Sequence, residues 1–539
     1  MTDYPRVLPV GDSALTLELG DRIDPALNAR VRALDQALAE RSLSGLVEAV
    51  PSYRSLLVRY DPRKTDFAGL AAELLERAGR PGAVAPAGRR HMIPTRYGGE
   101  DGPDLAPVAR SLGLSEGELM RLHAAQEQTA FMLGFMPGFA YLGLLPESLE
   151  TPRRATPRTR VPRGSVAVAG RQSGIYPASS PGGWNLIGRT NLALFDPWAD
   201  SPSLILPGDL VRFVSVDELP LEPERTGRQE PGLGSAAIEV LDGGLLTTVQ
   251  DAGRVGYARL GVGRAGPLDR EALAAANRAA GNPLDAAGLE ATVGGPTLRF
   301  LAPTLFAIAG AELGALLERT DLGPWPVPLG RKVLARAGSV LRFEGRRHGC
   351  RAYLAFAGGL AVAHVLGSKS TDLGGGFGGL GGRALRAGDL LRLGPAPGQA
   401  PEPPPTPEPP AGEARLRVVL GPQDDHFTPD AVTRFLSEPF VVSEASDRVG
   451  FRLRGPRLAH CGRAEIVTDG MVPGCVQVPP DGQPIVMMAD GPPTGGYPKI
   501  ATVLSTDLGR LAQLAPGESV RFEAVSVEQA HAELRGSRE

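Results

Sequence analysis

Four copies of one seven-residue pattern, widely spaced, restrict this chain more than any other feature. A small residue or proline, a glycine and a polar residue lead into an apolar-Arg-apolar ending. The copies are Pro207-Gly-Asp-Leu-Val-Arg-Phe, Ala337-Gly-Ser-Val-Leu-Arg-Phe, Ala387-Gly-Asp-Leu-Leu-Arg-Leu and Pro516-Gly-Glu-Ser-Val-Arg-Phe. Each reads as a turn feeding a strand whose alternate side chains face opposite ways. A longer echo joins Val161-Pro-Arg-Gly-Ser-Val-Ala-Val to Met471-Val-Pro-Gly-Cys-Val-Gln-Val, and a Gly-Gly-aromatic step soon follows each, Gly182-Gly183-Trp184 and Gly495-Gly496-Tyr497. Together they predict duplicated β units. No period of 20–50 residues is present, so the duplication is not a solenoid.

At 539 residues the chain exceeds the roughly 250–300 residues at which one core stops growing. Proline-rich breaks at residues 216–237 and 401–410 divide it into blocks of about 1–215, 236–395 and 412–527. In the first block, Leu15, Leu17 and Leu19 alternate with polar neighbours as in a half-buried strand. Residues 23–41 and 67–78 carry helical spacing, and Ser55-Leu-Leu-Val-Arg-Tyr reads as a strand between them, so a small α+β unit is expected. Residues 115–128 predict one more helix, with Ser115 as N-cap and Glu118 completing a capping box.

Lys and Arg number 57 against 60 Asp and Glu, and no basic block occurs, which speaks against nucleic acid or an anionic membrane as partner. No stretch approaches the ~20 apolar residues of a membrane span, and the first residues lack an apolar signal core. Cys350, Cys461 and Cys475 are too scattered for a disulfide framework or a paired metal motif. A cytoplasmic protein with no resident metal site is expected.

Walker A, GxSxG and HExxH signatures are all missing. Gly374-Gly-Gly-Phe-Gly-Gly-Leu-Gly-Gly lacks a following Lys-Ser/Thr and reads as a turned loop before a phosphate cradle. Gly134-Phe135-Met-Pro137-Gly-Phe-Ala-Tyr packs rings and glycines into a constrained loop, either a pocket wall or a core turn. Arg158 has guanidinium chemistry suited to a carboxylate or phosphate, or sits in a solvated basic turn. His123, on the predicted helix, is an acid–base candidate by its titration range or a packed histidine. Ser180, Trp184 and Arg189 cluster with Tyr176 around the first Gly-Gly-aromatic step. Gln477, Asp481, Gln483, Asp490, Thr494, Tyr497 and Lys499 cluster around the second, where carboxylates suit a base or metal ligand and Lys499 an anion.

These motifs resemble a known pair of families. Residues 1–220 resemble the B subunit of 5-oxoprolinase (the KipI or allophanate hydrolase subunit 1 family) through Val50-Pro-Ser-Tyr-Arg-Ser-Leu-Leu-Val, Tyr97-Gly-Gly-Glu, Gly134-Phe-Met-Pro-Gly-Phe-Ala-Tyr-Leu, Gly174-Ile-Tyr-Pro and Ser180-Pro-Gly-Gly-Trp. Residues 236–527 resemble its C subunit (the KipA or allophanate hydrolase subunit 2 family) through Thr248-Val-Gln-Asp-Ala-Gly-Arg, Ala265-Gly-Pro-Leu-Asp, Asp447-Arg-Val-Gly-Phe-Arg-Leu, Gln477-Val-Pro-Pro-Asp-Gly-Gln-Pro and Thr494-Gly-Gly-Tyr-Pro. The same modules in this order are similar to the carboxyltransferase region of urea carboxylase. Cys475 departs from the small aliphatic residue usual at its place in the C-type relatives, and reads as a packing substitution.

The resemblance implies a mainly β protein of cyclophilin-like barrels. It gives a small α+β subdomain over 1–85, a barrel over 88–218, a linker over 219–235, a barrel over 236–398, a proline-rich linker over 399–412 and a barrel over 413–528. It also implies ATP-dependent opening of 5-oxoproline to glutamate with a separate A-type subunit of the LamB/YcsF family, using ATP and Mg2+. On that reading Trp184 and Tyr497 face each other across a lactam pocket, which Phe135, Pro137, Tyr176, Ser180, Gln477, Gln483 and Thr494 help to line. Arg158 or Arg189 takes the substrate carboxylate, Lys499 and Arg448 take phosphate charge, Asp481 or Asp490 holds Mg2+, and His123 moves a proton. Two alternatives stand beside it: a biotin-dependent carboxyltransferase on a small amide, and a KipI/KipA-type regulator of a histidine kinase. A homo-oligomer is left open.

Overall fold

The structure, a computed structural model, describes residues 3–80, 88–221, 236–319, 321–395 and 412–536. Most of the two expected linkers, and the proline-rich stretch after residue 80, lie outside the described residues.

The first unit is a four-stranded antiparallel sheet in the order Arg6–Pro9, Ala14–Glu18, Ser55–Tyr60, Leu46–Pro51, with two helices on one face. Helix Pro25–Glu40 begins where the Asp24 carboxylate accepts from the amides of Ala26 and Leu27 at 2.8 and 3.2 Å, with proline at its first position. Helix Phe67–Gly79 is capped the same way by Asp66. Their apolar stripes, Val31, Leu34 and Leu38 with Leu70 and Leu74, close over Leu15 and Leu17. The leucine alternation predicted a half-buried strand, yet all five residues of Ala14–Glu18 are buried. The reason lies about 450 residues away. Val10, Ala14, Val50 and Leu57, on the face opposite the helices, pack against Met471, Val472, Cys475 and Met487 of the last unit.

Two units form closed seven-stranded barrels. In the first, the strand order is Gln172–Ile175, Ala140–Gly143, Glu127–Leu133, Leu210–Ser215, Arg90–Tyr97, Asn185–Arg189, Ser165–Ala169. The last runs Glu413–Leu420, Lys499–Val503, Cys475–Gln477, Ile485–Met487, Gly450–Arg454, Phe440–Val442, Ser519–Ala524. Each barrel pairs its first strand with its last in parallel: Arg90–Tyr97 with Leu210–Ser215, and Glu413–Leu420 with Ser519–Ala524. The remaining pairs are antiparallel. Closure leaves no open sheet edge.

The middle unit, expected as a cyclophilin-like barrel over residues 236–398, is built of two sheets rather than one continuous ladder. Its strands form a six-stranded and a five-stranded sheet that sandwich one core, including Ile238, Leu298 and Leu341 from the first and Leu289, Ile308 and Leu354 from the second. Its last strand, Leu390–Arg392, has three residues and pairs antiparallel with Ala236–Asp242, so the parallel closure of the other units is not made. The glycine-rich loop folds into tight turns, with isolated bridges at Asp372–Phe377 and Leu380–Arg383. The Asp372 carboxylate accepts from the amide of Gly375. A turned loop is the better description of that stretch.

The four repeated heptads all end on strands: Leu210–Ser215, Val340–Phe343, Leu390–Arg392 and Ser519–Ala524. Gly208, Gly338, Gly388 and Gly517 sit at φ of 84–96°, a left-handed turn that explains the repeated glycine. The longer echo is structural too. A two-stranded ribbon pairs Ser180–Gly182 with Arg158–Val161, and its counterpart pairs Asp469–Gly470 with Thr494–Gly495.

Candidate functional site

The Gly134–Tyr141 loop is where the first barrel meets both later units. Gly138 donates its amide to Leu260 O at 3.0 Å, and the Phe135 amide donates to Thr494 Oγ1 at 3.2 Å. A Cβ at Gly134 would lie 2.0 Å from that hydroxyl, so only glycine lets the two segments meet. Phe135 holds φ 64°, a backbone strain that the contacts around it maintain, and is 37% exposed. Its ring stands edge-on to Phe139 and Tyr176 at 5.4 and 6.2 Å. Pro137, in the same loop, is half-buried.

Trp184 does not form a pocket wall. Its indole is 6% exposed and packs edge-on against Phe139 and Tyr141 at 5.8 and 5.9 Å, in a cluster that Val467 of the last barrel helps to close. Tyr176 is buried in the same cluster, and burial pushes its hydroxyl up to about 12. Tyr497 is half-buried beside Gly496, whose carbonyl accepts from Ile466 N, one residue from Val467. The two aromatic steps therefore approach one seam, but Trp184 is sealed inside it.

At the seam's centre lies a buried ion pair. Lys499 Nζ is 3.5 Å from Asp469 Oδ2, and both side chains are 1% exposed or less. Asp469 accepts from Ser55 Oγ of the first unit, from the Gly470 amide at 2.8 Å and from Gln423 Nε2 at 3.4 Å. Burial alone would raise its carboxyl, but Lys499, Arg54 and these donors hold it below the usual range. Gln477, opposite Lys499 in strand register, is buried with its Nε2 lacking a hydrogen-bond partner. Thr494 joins this centre to Phe135.

Arg448 and Asp490 are engaged with each other. The guanidinium forks onto both Asp490 oxygens at 2.9 Å, donates to Gly266 O at 2.7 Å and pairs with Glu290. Tyr353 donates to the same Glu290 at 2.8 Å. Asp490 and Glu290 hold the Arg448 charge on against its burial, and burial pushes Asp490 up to about 6 despite Arg448. The network bolts the middle unit to the last barrel. Arg448 thus has no fork left for a phosphate, and Asp490 no free oxygen pair for a cation. Asp481 is elsewhere, in an exposed turn where it accepts from the Gln483 amide at 3.0 Å, and Gln483 itself brackets Gly455. These residues do not fit the Mg2+ role expected of them, and among the described residues no group of three or more His, Cys, Asp or Glu is placed to hold a metal.

The remaining expected residues lie apart from this centre. His123 is fully buried, between Tyr97 OH at 2.8 Å and Ser173 Oγ at 2.9 Å, and burial drives it down to about 3. It is a neutral core histidine, closed off from any substrate. Arg158 forks onto Asp104 at 2.8 Å, which also takes Arg154 and the Leu186 amide. Arg189 lies 3.8 Å from Asp101 and is partly exposed, and Ser180 donates to its neighbour's carbonyl.

A cavity of about 450 Å3 lies where three units meet. Ser13 and Arg59 come from the N-terminal sheet, residues 264–278 from the middle unit, and Pro473, Met488, Ser505, Arg510 and Gln513 from the last barrel. Arg59, Arg264, Arg270, Arg278 and Arg510 line it against Asp269 and Glu271. Asp269 caps helix Arg270–Ala280 through the Ala272 amide at 3.0 Å and takes Gln513 Nε2 at 2.8 Å. Gly509 permits that approach, since a Cβ there would lie 2.8 Å from the Asp269 carboxylate. None of these five arginines was singled out from the sequence. The resembling motif Ala265-Gly-Pro-Leu-Asp, which runs along the cavity wall, was the available signal.

The comparisons with known proteins fit this geometry. A family model described as "Carboxyltransferase domain, subdomain C and D" matches residues 5–205, and "Carboxyltransferase domain, subdomain A and B" matches residues 260–524. The chain is 45% identical to the 5-oxoprolinase B subunit of Escherichia coli O157:H7 over 213 residues, covering 39% of this chain and 95% of the relative. It is 39% identical to the 5-oxoprolinase C subunit of Escherichia coli K12 over 293 residues, covering 54% of this chain and 93% of the relative. The crystal structure of TTHA0988 matches with a TM-score of 0.84 at 38% identity, over 95% of this chain and 99% of that one. The chain therefore belongs to the family of 5-oxoprolinase B and C subunits, carrying both carboxyltransferase-type halves, B first, in one polypeptide.

Proposed function

We propose that this chain is the fused B and C component of a cytoplasmic, ATP-dependent 5-oxoprolinase, acting with a separate A-type subunit of the LamB/YcsF family to open 5-oxoproline to L-glutamate. One observation carries the reading. The arginine-lined cavity takes its walls from the N-terminal sheet of the B part and from both units of the C part, so the fusion joins pieces of a single site. A five-membered lactam is a stable amide, and ATP-coupled opening passes through anionic species. Arginines converging from separate elements can bind and orient such a species, and the enclosing walls strengthen that attraction by limiting water. The buried Lys499–Asp469 pair and the Arg448 network fix the walls relative to one another, which is a positioning role. The chain's three free cysteines suit a reducing compartment.

The test is turnover. The purified chain, with and without the LamB/YcsF-type partner, is assayed for 5-oxoproline-dependent ATP hydrolysis and glutamate release. Both products are expected only from the mixture. Their absence from an otherwise folded mixture would sink the reading. A second reading, a biotin-dependent carboxyltransferase, is favoured by the family model's description. Carboxyl transfer from a carboxylated biotin carrier to a small amide, without glutamate formation, would decide for it.

A further inference from the structure

We propose that the cavity between the three units is a phosphate site, holding the phosphoryl groups of a nucleotide or acyl phosphate through Arg59, Arg264 and Arg270. The inference deepens the functional reading and rests on the same cavity, but binding tests it without turnover.

Charge is the first argument. Arg59 is paired with Glu48, which also accepts the Gly256 amide at 2.9 Å. Arg264 has its Nε buried without a hydrogen-bond partner, and it forms no ion pair among the described residues. Arg270 makes one long contact, to Ala252 O at 3.4 Å. Besides its burial, the charges felt by Arg264 are Arg59 and Arg270, which oppose its own, and Glu48, which offsets them. Three guanidiniums thus have one ion-paired carboxylate, Glu48, among them, Arg59 and Arg264 half-buried and Arg270 exposed as Arg278 and Arg510 are. Asp269 and Glu271 also stand on the wall, but Asp269 is turned toward Gln513 and the helix cap, and neither carboxylate forms an ion pair with these arginines among the described residues. Like charges gathered this closely repel, and an anion placed among them relieves the repulsion.

Hydrogen-bond count is the second argument. Each guanidinium offers five N–H donors in a planar fork. A single carboxylate, as on 5-oxoproline, satisfies one fork. Satisfying three forks that arrive from the N-terminal sheet and from two points of the middle unit takes a group with several charges and oxygens, as a phosphate chain has. The first turn of helix Arg270–Ala280 lines the same cavity and adds its positive end. The volume lies within the range of small-ligand sites. The role the sequence assigned to Lys499 and Arg448 therefore passes to Arg264 and Arg270, which have donors free, with Arg59 beside them on Glu48.

The test is binding to the full chain, by calorimetry and thermal shift. The probes are pyrophosphate, ATP, inorganic phosphate, adenosine and 5-oxoproline. Pyrophosphate and ATP are expected to bind at least tenfold more tightly than 5-oxoproline, and adenosine not to compete, with affinity falling as salt rises. A tenfold loss, about 1.4 kcal/mol, is expected for Arg264→Gln and for Arg270→Gln, with the unliganded melting temperature unchanged or raised because repulsion is relieved. If Arg264→Gln fails to fold, Arg270→Gln together with the exposed Arg510→Gln supplies the comparison. Equal binding by wild type and these variants overturns the inference, as does 5-oxoproline binding as tightly as pyrophosphate. ATP binding that tracks adenosine overturns it too. Phosphate binding in a chain that fails the turnover test sinks the 5-oxoprolinase reading and leaves this one standing; turnover without cavity-dependent phosphate binding does the reverse.

Discussion

His123 carries a pH dependence that can be worked out from its surroundings. Held neutral between Tyr97 and Ser173, it stays unprotonated in the fold down to about pH 3, whereas in the unfolded chain it takes a proton near pH 6.5. Between those values the unfolded state binds more protons, so this residue's contribution is present above pH 6.5 and is lost as pH falls toward 3. The slope from His123 is at most about 1.4 kcal/mol per pH unit. Denaturant unfolding at pH 7 and pH 4.5 should show wild type losing more stability than His123→Gln over that interval; parallel losses would place the histidine in contact with water. Asp35 and Asp490, pushed up to about 6 chiefly by burial, act in the opposite sense, losing stability as pH rises through 6, and cancel from the comparison. At this scale the sequence told residue chemistry but not availability. Arg158 and Lys499 both looked free to bind an anion, yet Asp104 and Asp469 already hold them, and only folding brings those partners near.

Elements explain how the halves lock together. The ribbon strand Asp469–Gly470 lies against strand Ser55–Tyr60, where a Cβ on Gly470 would come 2.5 Å from Leu57, and Ser55 donates to Asp469. Removing the cation from this junction leaves a buried carboxylate without its main counter-charge, so Lys499→Met should cost about 3–5 kcal/mol. Lys499→Met with Asp469→Asn should cost less than the two single changes added together, because the second removes the charge the first exposes. Chemical denaturation of the four proteins measures the coupling; additive losses would mean that the pair does not interact. The turn–strand heptads, the capped helices and the duplicated ribbon were legible because each is local or repeats. Two things were not. The middle unit's division into two sheets, with its short last strand antiparallel to Ala236–Asp242, is a matter of long-range pairing, and the burial of Ala14–Glu18 on its second face depends on the last barrel.

For the whole molecule, the apolar contact between the N-terminal sheet and the last barrel makes B and C halves of one object rather than beads on a string. Val10, Ala14, Val50 and Leu57 meet Met471, Val472, Cys475 and Met487 there, and the Gly134–Tyr141 loop is gripped from two sides by the C part. Duplication in the sequence spoke for similar units, and the resemblance for their order. Neither told which faces meet, and so neither told that the open cavity lies among arginines scattered from position 59 to position 510. If those contacts hold the assembly, covalent continuity between residues 221 and 236 is dispensable. Residues 1–221 and 236–539, co-expressed as separate chains, should co-purify at equal stoichiometry through size exclusion. Leu57→Glu, which forces a charge against Met471 and Val472, should separate them, since an unpaired buried charge costs several kcal/mol. Split chains that never associate would mean that the fusion itself, rather than this surface, brings the walls of the cavity together.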